Sequence, residues 1–275
     1  MKLIDTHAHV NFNAYKDDAE AVLKRAFEND TGVINVGSEF RTSQRAVEMA
    51  ERYESGVYAA IGLHPIHLSS EAYHDRVDEY EEVDFIPAVE EYDADKYQEL
   101  AKSPKVVAIG EIGLDYFHAE DNKELQKKVF REQIDLACEL NLPIIVHCRK
   151  AHDDIIEILR DKKKEHGQKL RGVVHCFTGN LKQAEIYTTE LNFYLGWNGI
   201  ITFTDAYDKV LQNIDLKYFV VETDCPYLTP IPFRGKRNEP LYVEKVAEKI
   251  AEIKGKTLQK IAEITSENAR NLFNI

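Results

Sequence analysis

The chain has 275 residues, of which 44% are hydrophobic, and a formal net charge of −13. This length and composition fit one large α/β domain with an ample apolar core. The sequence has no run of about eighteen apolar residues, and its start, MKLIDTHAHV, lacks the long apolar region of a signal peptide. We therefore predict a soluble cytoplasmic protein. The four cysteines form no CxxC pair, which excludes that type of zinc knuckle or redox motif.

The acidic residues are concentrated in one segment. Residues 71–99 contain twelve Asp or Glu against Arg76 and Lys96, a net of −10, which leaves only −3 for the rest of the chain. A strongly acidic protein is an unusual partner for nucleic acid, because phosphate binding leaves a basic footprint. The uneven distribution weakens that objection, and a bound metal ion supplies local positive charge whatever the overall balance.

In chain order, strand patterns alternate with helical ones. We predict strands at 2–5, 33–37, 57–63, 105–110, 143–147, 172–176, 193–197 and 219–223. Helices are predicted at 17–29, 42–53, 124–140, 152–165, 181–190, 205–213, 240–253 and 256–273. Eight strands separated by helices indicate a (β/α)8 TIM barrel formed by one domain, residues 1–275. The alternative, an open doubly wound sheet, would not bring the first and last strands together.

Residues 66–104 are too long for an ordinary connection and are predicted to form an insertion with one or two helices beside the third strand. We interpret its acidic part as a solvated charged face, which would be dispensable for folding. A partner surface or a fence around the substrate is the alternative.

Metal-ligand types recur where the predicted strands end. His7 and His9 alternate in LIDTHAHV and so share one face of an extended strand. The other strand ends carry Glu111, His147, His175 and Asp224. In a parallel barrel these ends meet at one rim, which is where barrel enzymes build their active sites. The thiols of Cys148, Cys176 and Cys225 each follow a ligand directly and are expected to point away from the metal.

Several motifs extend over almost the whole chain: DTHAHV, GLHP, GEIGLDY, PIIVHCRKAHDD, VVHCFTG, ETDCPYLTP and FRGKRNEP. Together and in this order, they resemble the TatD family of metal-dependent deoxyribonucleases. The resemblance implies a barrel of the metallo-dependent hydrolase type with two divalent cations, for which zinc, manganese and magnesium all suit the ligands. It implies that His7 and His9 bind one ion with Asp224, that His147 and His175 hold the second, and that Glu111 bridges both.

The activity implied is hydrolysis of DNA phosphodiester bonds, 3′–5′ exonuclease-like on single strands or ends, through a water activated by both ions. Glu111 and Asp224 are the expected catalytic residues, with Asp224 as the proton acceptor or as a ligand only. Asp5 is expected to orient a histidine. The DNA is expected to be bound without sequence specificity, no membrane is involved, and a monomer is the working expectation.

Five residues are candidate substrate contacts at the rim: His64, Arg149, Arg234, Lys236 and Arg237. The cationic loop in FRGKRNEP follows the eighth strand, where it can reach backbone phosphates. The alternative is an ion pair, of Arg149 with Asp154 or of Arg234 or Arg237 with Glu239.

Two other functions remain open at this point. The same metal site suits hydrolysis of an amide, ester or aminoacyl bond, because two metals do not by themselves select phosphorus over carbon. A non-catalytic scaffold that uses residues 66–104 as its surface would predict a damaged ligand set, whereas all the candidate ligands are present.

Overall fold

The computed structural model describes residues 2–79, 81–120 and 122–275. Its strands are β1 (Leu3–Ala8), β2 (Thr31–Val36), β3 (Val57–Ile61), β4 (Tyr73–Asp78), β5 (Glu81–Phe85), β6 (Val106–Asp115), β7 (Ile144–Arg149), β8 (Gly172–Val174), β9 (Tyr194–Trp197) and β10 (Phe219–Val221). Eight of them form a parallel sheet in the order β1-β2-β3-β6-β7-β8-β9-β10. The hairpin of β4 and β5 stands apart as a two-stranded antiparallel sheet.

The sheet curves round until its first and last strands meet. Ala8 and Cys225 form a parallel bridge, and the His9 amide donates to the Cys225 carbonyl at 2.9 Å. The Asp224 amide donates to the His7 carbonyl at 2.8 Å. The prediction of a TIM barrel is confirmed, and the open sheet is wrong.

Nine helices are described: α1 (Ala19–Glu28), α2 (Phe40–Ala50), α3 (Ala94–Leu100), α4 (Lys123–Glu139), α5 (His152–His166), α6 (Leu181–Glu185), α7 (Asp208–Asn213), α8 (Val243–Lys254) and α9 (Leu258–Phe273). All except α3 correspond to the helices predicted between the strands and after the last one, and α3 lies in the insertion. Among the described residues, no helix has both the length and the apolarity needed to cross a membrane.

Apolar side chains fill the barrel below its C-terminal rim. They come from alternate positions of the strands and include Ile4, Ile34, Ala108, Ile145, Val173 and Val220. Leu272 and Phe273 of α9 pack into the same cluster and close the barrel at its other end. Because residues two apart on a strand share a face, the rows through Ile145 and Val173 continue to His147 and His175. The core thus holds the polar groups of the rim on a rigid base.

The insertion differs from its prediction. It contains α3, as expected, but also the β4–β5 hairpin, which was not predicted. The Tyr97 side chain is fully buried, and its hydroxyl donates to Glu90 at 2.7 Å. The other oxygen of Glu90 accepts from the Phe40 amide at 2.9 Å, at the start of α2. Most of the described acidic side chains of residues 71–99 are exposed, as a solvated charged face requires. The structure nevertheless contradicts the expectation that the segment is dispensable for folding, because Tyr97 and Glu90 tie it to the core.

Replacing all of residues 71–99 should accordingly disrupt folding, and Tyr97→Ala alone should lower the free energy of unfolding by about 3–5 kcal/mol, as other buried aromatic truncations do. Urea unfolding measures this. Ile86→Ala is the matched control in the same segment, because this side chain is 79% exposed. It should change the free energy by less than about 0.5 kcal/mol. Equal midpoints for the two variants would contradict a structural role for Tyr97.

Candidate metal centre

The carboxylate of Glu111 lies at the centre of the rim. It is buried at the point where β6 passes between β3 and β7. Its Oε1 is 2.7 Å from His147 Nδ1 and 3.5 Å from His175 Nε2. Its Oε2 is 3.3 Å from His7 Nε2. The two oxygens of one side chain therefore face two different groups of histidines.

His7, His9 and Asp224 form one of these groups. The Nε2 atoms of His7 and His9 are 3.2 Å apart, and Asp224 Oδ1 lies 3.8 Å from the first and 3.4 Å from the second. His9 Nδ1 is 2.8 Å from the Val36 carbonyl, which can only accept, so this nitrogen carries the proton. The lone pair of the neutral ring is then on Nε2 and points at the group. That arrangement suits a metal ligand.

His147 is held by an aspartate that sequence reasoning missed. Asp115 Oδ2 is 3.2 Å from His147 Nε2, and the same atom is 2.7 Å from His118 Nδ1. The second oxygen of Asp115 accepts from the backbone amides of Phe117 and His118, both at 2.9 Å. With Nε2 directed at Asp115, Nδ1 of His147 faces Glu111. Asp115 and Glu111 are four residues apart in GEIGLDY, an even spacing that could have indicated a shared face.

His175 has an equivalent partner in Glu222, which was also missed. Its Nδ1 is 2.9 Å from Glu222 Oε1, and its Nε2 faces Glu111 and Asp224, the latter at 3.9 Å. Glu222 is fully buried and also accepts from the Cys176 amide at 2.7 Å. It lies two residues before Asp224, so strand alternation alone could have found it.

Two expectations from strand alternation are wrong. Asp5 does not orient an imidazole among the described residues: it accepts from the Thr223 hydroxyl at 2.6 Å and from the amides of Thr223 and His7 at 2.8 and 3.2 Å. The Cys176 thiol is not directed away from the site, since it lies within 4.8 Å of candidate ligand atoms of His175 and Asp224. The reason is that β8 ends at Val174 and Cys176 has a left-handed φ of 44°, which ends the alternation.

His64 also reaches the site, as predicted. Its Nε2 lies 3.5 Å from Glu111 Oε1, and its ring is 4.1 Å from that of His147. Its Nδ1 accepts a hydrogen bond from the Ile66 amide at 3.0 Å. In the neutral ring Nε2 therefore carries the proton. His64 presents an N–H donor to the centre rather than a free lone pair, which suits a contact with a substrate oxygen better than metal ligation.

Charge compensation dominates the electrostatics. Burial raises the pKa of Glu111, but its electrostatic interactions with the imidazoles of His64, His175 and His7 outweigh burial, and the pKa lies well below its usual range. Burial also raises the pKa of Asp224, but the charge of His175 opposes it, and the pKa is lowered from its usual value. Burial and the charge of His175 lower the pKa of His7.

The excess negative charge is balanced by protons on two of the histidines. Although burial opposes it, hydrogen bonds to Asp115 and Glu111 raise the pKa of His147 to about 9. Against the same opposing effect, the charges of Glu222 and Glu111 raise the pKa of His175 to about 10. A cluster of imidazoles and carboxylates that favours protonation of its histidines also suits divalent cations, which would take the place of those protons.

The predicted cationic contacts lie in different surroundings. Arg234 Nη1 is 3.0 Å from Glu81 Oε2 of the hairpin, and the Arg234 side chain is only 8% exposed. Arg237 makes a bidentate pair with Asp18 at 2.6 and 3.0 Å, and Glu239 is 3.6 Å away. Both arginines are in ion pairs, as the alternative interpretation expected, but their main partners are other than the predicted Glu239.

The remaining two cations are nearer to solvent. Lys236 is exposed, and its Nζ lies 5.8 Å from the Phe233 ring centre. The Arg149 guanidinium lies 4.6 Å from the Phe117 ring centre. Asp154, the ion-pair partner considered for Arg149, receives instead the Tyr116 hydroxyl at 2.6 Å and Lys127 at 2.8 Å.

Divalent metal should stabilise the fold through this centre. At a free ion concentration a thousand times the Kd, binding contributes about 4 kcal/mol, or roughly 10 °C in Tm for a chain of this size. Calorimetric scans of chelator-treated protein with and without zinc, manganese or magnesium measure the shift. Asp224→Asn should lose most of it, whereas Glu263→Gln on α9, where the side chain is 60% exposed, should keep it. An undiminished shift in Asp224→Asn would remove this residue from the ligand set.

Asp115→Asn should weaken metal binding by about 10–100-fold while leaving the ligands in place, because an outer carboxylate fixes the ring of a ligating histidine. Titration calorimetry with metal-free protein gives the affinity. Asp154→Asn is the matched control, since Asp154 also accepts two side-chain hydrogen bonds but is bonded to Tyr116 and Lys127 instead. Equal affinities for the two variants would show that Asp115 does not position His147.

Comparison with known proteins shows what this chain is similar to. The TatD-related DNase family matches residues 4–274. The uncharacterized metal-dependent hydrolase YabD of Bacillus subtilis is 46% identical to this chain over 276 residues, and the alignment covers 99% of each chain. The uncharacterized metal-dependent hydrolase YcfH of Escherichia coli is 32% identical over 281 residues, and the alignment covers 100% of this chain and 97% of YcfH. The crystal structure of YjjV, a TatD homologue from Escherichia coli, superposes with a TM-score of 0.83 at 31% identity, covering 100% of this chain and 98% of its own. The chain belongs to the TatD-related DNase family of metal-dependent hydrolases.

Proposed function

We propose that this protein is a deoxyribonuclease that hydrolyses DNA phosphodiester bonds at ends or in single strands, with two divalent cations held at the barrel rim. The observation that carries the proposal is the placement of Glu111. One of its oxygens faces His7, and the other faces His147 and His175. A single carboxylate that serves two ligand groups is suited to bridge two ions, which is the arrangement used for in-line displacement at phosphorus.

In this proposal His7, His9 and Asp224 hold one ion, and His147 and His175 hold the other. When bound, the two cations lower the pKa of a water molecule and stabilise charge on the phosphate oxygens. Asp224 is the residue that accepts the proton of the attacking water. It suits this role because its lowered pKa keeps it ionised and its side chain is 16% exposed, among the more accessible of the candidate ligands.

His64 contributes a hydrogen bond rather than a metal ligand. Its Nε2–H points toward Glu111 Oε1 from the next strand but is not tied to a backbone group. Burial and the charge of His147 lower the pKa of His64 well below its usual range, so the ring is neutral. A neutral donor at this position can bind a non-bridging or leaving oxygen of the phosphate without repelling the cations.

A second candidate function is hydrolysis of an amide, ester or aminoacyl bond at the same centre. The observation in its favour is that Arg234 and Arg237, the arginines expected to bind phosphate, are neutralised by Glu81 and Asp18. An uncharged substrate would need no free arginine at this loop. The wild-type protein would then turn over an uncharged acyl substrate faster than DNA.

The test is cleavage of end-labelled single-stranded DNA by metal-stripped protein resupplied with each cation in turn. Glu111→Gln should lose most of the activity and remain folded, because it keeps the size of the bridging residue and removes its charge. Near-normal turnover at saturating metal would refute the dinuclear centre. A rise only in the metal concentration required would reduce Glu111 to an auxiliary ligand, and product lengths distinguish end-wise from internal cleavage.

A further inference from the structure

An exposed phenyl ring with two cations lies beside the metal centre. Phe117 is 42% exposed, and its ring centre is 4.4 Å from Lys150 Nζ and 4.6 Å from the Arg149 guanidinium carbon. Exposed aromatic rings flanked by cations are the elements from which proteins build platforms for single-stranded nucleic acid. Arg149 was considered above on sequence grounds, but Phe117 and Lys150 were not.

The barrel itself fixes this group, here named the Phe117 platform (Phe117, Arg149 and Lys150). Asp115 at the end of β6 pairs in register with Arg149 at the end of β7, and the Tyr116 amide donates to the Arg149 carbonyl at 3.0 Å. Phe117 follows two residues after Asp115. The ring and both cations are thus carried by neighbouring strand ends rather than by a long loop, so their spacing is set before any ligand arrives.

The platform adjoins the His147 side of the centre. Arg149 lies two residues beyond His147 on the same strand, and Asp115 contacts the His147 ring at 3.2 Å. A phosphate held at the ions would therefore have its next nucleotide within reach of the platform on this side.

The opposite side of the opening is less suited to a polyanion. There Arg234 is buried against Glu81, whose carboxylate also accepts from the Leu228 amide. Arg237 is bound to Asp18. On the platform side, two cations flank one exposed ring, an arrangement that suits a stacked base and its phosphate.

We propose that the Phe117 platform binds the nucleotide that flanks the scissile phosphate of a single-stranded DNA substrate. Arg149 and Lys150 bind the backbone phosphate of that nucleotide, and its base stacks on Phe117. The phosphate competes with the ring for the Lys150 ammonium, so phosphate binding frees ring surface for the base. This inference rests on the proposed deoxyribonuclease function and adds to it a binding site for the strand.

The test uses the metal-loaded protein and two short single-stranded oligonucleotides, one intact and one lacking the bases that flank the cleaved bond. The Kd is measured by fluorescence anisotropy on phosphorothioate versions that resist cleavage, and the KM on cleavable ones. Phe117→Ala should raise the Kd for the intact strand about tenfold, since one stacked base contributes that much, and should leave the Kd of the strand without those bases unchanged. Phe117→Trp should restore binding.

The cations are tested separately through salt dependence. Arg149→Gln with Lys150→Gln should reduce the slope of log Kd against log salt by about 1.4, or about 0.7 for each lost phosphate contact on single strands. The matched control is Lys217→Gln with Tyr218→Ala, because this cation lies 4.9 Å from a ring centre at the start of β10, at the opposite end of the barrel. Thermal scans check that each variant is folded.

An equal loss for both oligonucleotides in Phe117→Ala, or an unchanged salt slope in the double variant, would overturn the platform. If the wild-type protein cleaves DNA and the platform variants behave like the control, the inference fails and the proposed function stands. If the protein binds the strand through the platform but does not cleave it, the proposed function fails, and the platform is a binding site for single-stranded DNA without a scissile phosphate. If the wild-type protein neither binds nor cleaves the strand, both the inference and the proposed function are refuted.

Discussion

Closure of the barrel between its first and last strands is the constraint on which the metal centre depends. Besides the backbone contacts of Ala8, His9 and His7, the closure has a side-chain contact from the fully buried Asp5, whose carboxylate accepts both the hydroxyl and the amide hydrogen of Thr223. Burial raises the pKa of Asp5 well above its usual range, despite these hydrogen bonds. Because Thr223 directly precedes Asp224, the same contact fixes the residue that completes the group of His7 and His9. An open sheet would separate these ligands by the full width of the fold.

The centre is organised from the outside inward. His9, His147 and His175 each direct one ring nitrogen at a fixed oxygen, from Val36, Asp115 and Glu222 respectively, and leave the other facing the cluster. Such outer contacts fix both the tautomer and the orientation of each ring before an ion binds. Neighbouring imidazoles offset the free-energy cost of burying the carboxylates here. The raised pKa values of His147 and His175 show that additional positive charge is favoured beside these two rings.

Much of this could be predicted from the sequence, because strand periodicity and the rule that barrel sites form at C-terminal strand ends are both local signals. They placed the strands, the helices outside the insertion and the convergence of the candidate ligands. Asp115 and Glu222 were missed although their even spacing from Glu111 and Asp224 carried the same signal. Cys176 could not be placed by strand alternation, because its left-handed backbone conformation ends the alternation directly after the candidate ligand His175.

Long-range ion pairs were beyond the reach of such reasoning. The partner of Arg237 is 219 residues away, and that of Arg234 is 153 residues away, in a hairpin that has no signal in the sequence pattern. The acidic segment is likewise misread by its composition, since Glu81 and Glu90 are used to tie it to the barrel.

These pairs explain how a chain with a net charge of −13 can serve the function proposed for it. Some acidic residues that would repel a phosphate form ion pairs at the rim instead. Glu81 pairs with Arg234, and Asp18 pairs with Arg237. Within the proposed centre, Glu111, Asp115, Glu222 and Asp224 carry four formal negative charges, which two divalent cations would cancel. The field that an approaching phosphate meets is then set by the bound ions and by the few cations at the strand ends beside them, because charges more than about 10 Å away are largely screened at physiological salt. Net charge is therefore a poor guide to the substrate of a metal-centred enzyme, and the placement of the carboxylates is the better one.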